Sequence, residues 1–113
     1  MYDLREHKEL ISRLVSEANQ NDENWRWSVK SVGKTKARIF WSYLEYCGQP
    51  EPYFVIELED TGDGYWIHAL DERDSYIESE IVVDNDLPFL NCPIDKAIEK
   101  MVRCIVNTAH ACY

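Results

Sequence analysis

The chain has 113 residues, 45% of them hydrophobic, with four Trp, seven Tyr and three Phe, and 21 acids against 12 bases for a net charge of −9. That length supports one domain over 1–113 around one core, stable without a disulfide or metal staple. The apolar content excludes a disordered chain, the lack of any apolar run near ~18 residues excludes a membrane helix, and the negative total argues against direct contact with nucleic acid.

Residues 3–19 are expected to form an amphipathic helix. Leu4, His7, Ile11, Leu14, Val15 and Ala18 recur at three- and four-residue steps, while Arg5, Lys8, Glu9, Arg13 and Glu17 fill the other side. Asp3 and Glu6 have the spacing of a capping box, and the polar run after Ala18 ends the helix.

The period then falls to two. In WRWSVKSV, Trp25, Trp27 and Val29 share one face, and Arg26, Ser28 and Lys30 the other. Gly33-Lys34 turns the chain into KARIFWSYLEY, which is apolar on both faces from Ile39 onward. That pattern suits a central strand or a surface that meets another molecule. Two prolines, Pro50 and Pro52, break the next loop. YFVIELE and YWIHAL are then expected as strands. SYIESEIVV follows as a fifth, with Ile77, Ile81 and Val83 inward and Glu78 and Glu80 outward. A second helix begins near residues 91–93 and buries Ile94, Ala97, Ile98, Met101, Val102, Ile105 and Ala109. The order helix, five strands, helix implies an α+β two-layer sandwich. Its mainly antiparallel sheet carries both terminal helices on one face.

The run EDTGDG between two of the strands is acidic and glycine-rich. Alternate positions from Asp60 are Asp60, Gly62 and Gly64, so two of three oxygen ligands of a calcium loop are missing. Carboxylates crowd it too closely for a phosphate. Gly62, Asp63 and Gly64 are residues that a hairpin turn uses, and a turn is the expected reading.

Chemistry-bearing motifs are sparse. None of Cys47, Cys92, Cys104 and Cys112 forms a C-x-x-C pair. The charged opening MYDLREHKELISRL does not read as a secretory signal, so a cytoplasmic location and reduced thiols are expected. No metal site or cofactor is expected. His7 reads as a core-edge residue. His68 reads as an ordinary strand histidine, with a general-base role open to it only if Glu57 or Glu59 orients the ring. No nucleophile elbow, Walker loop or dinucleotide fingerprint occurs, and the expectation is a protein that is not an enzyme.

Charge placement carries the functional reading. Residues 51–86 hold twelve acids and one base, Arg73, a net of −11, while residues 26–38 hold five bases and no acid. Acids at alternate strand positions lie about 7 Å apart, close to the spacing of successive phosphates along a nucleic-acid strand. Glu57, Glu59, Glu78 and Glu80, with Asp71 and Asp74, are therefore the candidate contacts to a protein partner with a basic surface. Phe40 and Leu44, with Tyr46, form a candidate apolar patch if they face away from the helices. The expected function is a small acidic interaction module that masks a nucleic-acid-binding surface. It shares size and charge, but no motif, with anti-CRISPR and anti-restriction inhibitors of phages and mobile elements. The alternative is a structural or chaperone-like homo-oligomer, in which basic and acidic strands pair between copies as a homodimer. A solvated, solubilising acidic face is the bland counterpart of both.

Overall fold

Asp3 starts the first helix. Its carboxylate accepts the Arg5 N–H at 2.9 Å and caps a 3₁₀ turn, Leu4–His7, that runs into α1 (Lys8–Gln20). The structure is a computed structural model that describes residues 2–20, 22, 25–43 and 52–112, with the backbone alone for Tyr43 and Cys112. Five strands follow: β1 (Trp25–Val32), β2 (Lys36–Tyr43), β3 (Tyr53–Asp60), β4 (Gly64–Asp71) and β5 (Tyr76–Asp84). A second 3₁₀ turn, Pro88–Leu90, then leads to α2 (Ile94–Cys112).

The strands pair in sequence order, each antiparallel to the next, so the sheet is a simple meander with β1 and β5 at its edges. Both helices lie on one face: α1 crosses β1 and touches α2, and α2 covers β3 to β5. The architecture is the expected α+β sandwich. No helix among the described residues is long and apolar enough to cross a membrane.

The alternation of β1 to β4 sends Trp27, Ile39, Trp41, Phe54, Ile56 and Ile67 under the helices, where they meet Leu4, Ile11, Ile98, Met101 and Ile105. Trp41 is the centre of an aromatic stack, with Trp25 at 3.6 Å and Trp27 at 5.4 Å between ring centroids.

EDTGDG is a turn. The Thr61 N–H donates to the Gly64 carbonyl, the Gly62 N–H donates to Asp60 Oδ1 at 2.9 Å, and Gly62 sits at φ +87°. Gly64 is required for a different reason: a Cβ there would collide with the backbone of Val83 in β5.

The fifth strand departs from expectation. Glu78 and Glu80 face the helices rather than solvent. Val82 and Ile77 are extra residues in β5, placed where the β4–β5 register shifts, and between them Glu78 and Glu80 fall opposite Ala69 and Ile67 of the covered face. α2 packs against this edge strand and meets the two glutamates with polar groups. Lys100 Nζ donates to Glu80 at 2.8 Å, and the Cys104 thiol lies 4.0 Å from Glu78. Ile81 turns to the opposite face beside Trp66, whereas Ile77 and Val83 pack on the core as expected.

Both edges are occupied by side chains. Asn19 brackets Trp27, accepting its N–H at 2.6 Å and donating to its carbonyl at 2.8 Å, and Asp22 accepts the Trp25 N–H. On β5, Glu78 and Glu80 accept the Ser79 and Ile81 N–H groups, while the Cys92 N–H takes the Ile81 carbonyl. Edge groups satisfied in this way cannot template another strand.

Candidate functional site: the uncovered face of the sheet

Cross-strand register fixes which residues lie on the face away from the helices. Three rows cross β2 and β3: Lys36 opposite Glu57, Arg38 opposite Val55, and Phe40 opposite Tyr53. The first two extend onto β4 and β5, with Glu57 opposite His68 and then Ser79, and Val55 opposite Leu70 and then Tyr76; a further row on β3 to β5 sets Glu59 opposite Trp66 and then Ile81. Among the described residues neither helix reaches this side. Val55, Leu70 and Ile81 are buried yet stand apart from the core beneath the helices. They form a second, thin apolar layer with neither helix over it.

The rim is polar and aromatic. Phe40 stacks on Tyr53 with centroids 5.5 Å apart, and Lys30 Nζ lies 5.3 Å over the Phe40 ring. Tyr76 is 64% exposed. Arg26, Lys36 and Arg38 are exposed and make no ion pair among the described residues. This face therefore carries unpaired cations on β1 and β2, an apolar middle, and carboxylates on β3.

His68 is the most constrained polar group on the face, 6% exposed and bonded at both nitrogens. Nε2 lies 3.0 Å from Glu59 Oε1, and Nδ1 lies 2.6 Å from Ser79 Oγ. A carboxylate only accepts, so the Nε2–H donates to Glu59; in the neutral ring Nδ1 then accepts the Ser79 hydroxyl. Tyr76 meets the ring edge-on at 4.9 Å. Glu59, and not Glu57, orients the imidazole. A nucleophilic serine also needs N–H donors turned to the bond it attacks. Ser79's own N–H is spent on the Glu78 carboxylate. The relay ties three strands together across the face, and Ser79 was absent from the sequence reading because only cross-strand register identifies it.

The remaining candidates scatter. Glu57 stands half-buried on the uncovered face, and Glu59 beside it is committed to His68. Glu78 and Glu80 lie on the other face, so the four glutamates form no single acidic row. Asp71 holds the β4–β5 turn. Burial raises its pKa, but the N–H groups of Ser75 and Arg73 and the Arg73 guanidinium outweigh that and hold the carboxyl below its usual range. Asp74, at φ +61°, is the corner of the same turn. Phe40 is half-buried within its stack, and Leu44 and Tyr46 lie outside the described residues.

Cys92 and Cys104 are free thiols, and burial pushes the Cys92 thiol up. No cluster able to hold a metal occurs among the described residues. Two further surface features stand out. An open cleft of about 270 Å³ between α1 and α2 is floored by Leu14, Ala18, Val102 and Val106. Phe89, 78% exposed, tops the 3₁₀ turn beside β5. Comparison with family models, curated proteins and solved structures returns no match.

Proposed function

We propose that the protein is a non-catalytic interaction module that docks through the uncovered face of its sheet onto a protein partner. Its carboxylates Glu57 and Glu59 lie against a basic surface of that partner. The observation that carries the reading is a sheet face that neither helix covers among the described residues and that presents Phe40, Tyr53, Trp66 and Tyr76 around a thin buried layer of Val55, Leu70 and Ile81. An apolar centre ringed by aromatic and charged side chains suits a protein interface. An inhibitor of the anti-CRISPR or anti-restriction kind, masking a nucleic-acid-binding surface, fits this size and charge. The acids on that face are Glu57 and Glu59, the latter still half exposed while it holds His68, with the turn residues Asp71 and Asp74 at the strand ends, and not Glu78 or Glu80.

Affinity capture at low and high salt, with wild type beside a Glu57→Lys/Glu59→Lys variant, tests it. The expected result is a salt-sensitive partner with a basic surface, lost by the variant while its circular dichroism is unchanged. A partner held equally by both proteins would reduce these acids to solubility and end the proposal.

A further inference from the structure

We infer that the free chain pairs face to face with a second copy of itself, about a two-fold axis parallel to the strands and lying between β2 and β3. This inference rests on the docking role of the uncovered face, and it names an occupant whose chemistry is already present.

The register makes the face complementary to itself. Rotation about such an axis keeps each residue at its level along the strands and exchanges β2 with β3. Lys36 then meets Glu57 of the second copy, Glu57 meets Lys36, and Phe40 and Tyr53 meet Tyr53 and Phe40. Arg38 comes over Val55, at the level between those two rows. An axis across the strands would instead set β2 on β2, opposing its own cations. Lys36 and Glu57 are direct cross-strand neighbours in one chain yet form no ion pair there. Both charges are left for the second copy.

The edges point the same way. With Asn19 and Asp22 on β1, and Glu78, Glu80 and Cys92 on β5, strand addition is blocked where these groups bind, which favours the face for sheet-to-sheet contact. Four overlapping strands of about eight residues cover about 500 Å² per copy, roughly 1,000 Å² in total. That is the lower end for a specific interface and implies a weak, concentration-dependent dimer. Such a dimer hides the face until an outside partner with a better basic surface displaces one copy.

Sedimentation velocity on the full chain over a wide concentration range, at low and high salt, supplies the test. Wild type should dimerise with concentration. Lys36→Glu and Glu57→Lys should each raise the dissociation constant about tenfold or more, because each places two like-charged pairs across the axis. Mixed one to one, the two variants should form a heterodimer, since every contact across the axis then pairs opposite charges. Circular dichroism confirms that both variants fold.

Wild type that stays monomeric throughout overturns the inference, as does a mixture no more associated than its components. A dimer indifferent to both substitutions overturns it too, and assigns association to another surface such as the α1–α2 cleft. A monomeric chain that still loses its captured partner on Glu57→Lys/Glu59→Lys overturns self-pairing alone and leaves the docking face standing.

Discussion

The two faces of one sheet put similar residues to opposite uses. On the covered face Trp25, Trp27 and Trp41 stack beneath two helices, and Trp41 is fully buried. On the other face Phe40, Tyr53, Trp66 and Tyr76 are just as aromatic, yet they hold only a thin layer and leave Tyr76 largely in solvent. The acids divide in the same manner. Glu80, facing α2, is committed to Lys100 and to a backbone N–H, whereas Glu57, on the open side, makes no ion pair among the described residues. Aromatic content and negative charge therefore do not separate structural from available groups in this chain. The face does.

The sharpest way to break that comparison is to truncate one aromatic on each side and follow urea unfolding. Trp41→Ala should cost about 3–5 kcal/mol, since it opens a cavity at the centre of the stack, while Tyr53→Ala should cost under about 1 kcal/mol. Equal losses would mean that the second face is core as well.

Next in size is Gly64→Ala, expected to cost about 1–3 kcal/mol because the new methyl collides with the Val83 backbone. Gly62→Ala tests the same hairpin without a collision. Nothing lies near its Cβ position, so its smaller cost should come from positive φ alone.

Glu80→Ala and Glu57→Ala sharpen the contrast between the acids. Loss of Glu80 strips Lys100 of its hydrogen bond and the Ile81 N–H of its acceptor, for about 1–2 kcal/mol, while loss of Glu57 should change stability by under about 0.5 kcal/mol. Glu80 raises the Lys100 pKa, so its contribution is full below the ordinary lysine value and fades as pH rises through the raised one. The difference between wild type and Glu80→Ala should therefore narrow in strong alkali.

The smallest effect lies at the N-terminal cap. The Arg5 guanidinium and the hydrogen bonds it accompanies hold the Asp3 carboxyl at about 2 instead of 3.8. A lowered folded value means stability that is complete above the ordinary carboxylate range and lost as pH falls through about 2. In Arg5→Ala the Asp3 midpoint, followed by NMR, should return towards its ordinary value.

Much of the fold was legible in the sequence because period and punctuation agree. The shift from a three- and four-residue step to alternation marks where α1 gives way to β1, and Gly62 and Gly64 mark the hairpin. The seven apolar positions assigned to α2 all lie in or against the core. The orientation of β5 was not legible. Its stretch from Ile77 to Ile81 alternates, but the bulges at Ile77 and Val82 reset which residues face α2, and that alternation does not show them. The Glu59–His68–Ser79 relay was hidden for a related reason. Its members lie 9 and 11 residues apart on three strands, and only the register brings them together. Asn19 looked like part of a polar helix terminus, while its work is to close the β1 edge.

One measurement bears most directly on the claim that the uncovered face is where this protein meets others. A photo-reactive phenylalanine analogue is placed at position 40 on that face, or at position 103 on α2 beside the cleft, and irradiated in cell extract. Cross-links from position 40, to a basic protein or to a second copy, with none from position 103, are the expected result. Cross-links from position 103 alone would place the interface on the helices and contradict the account.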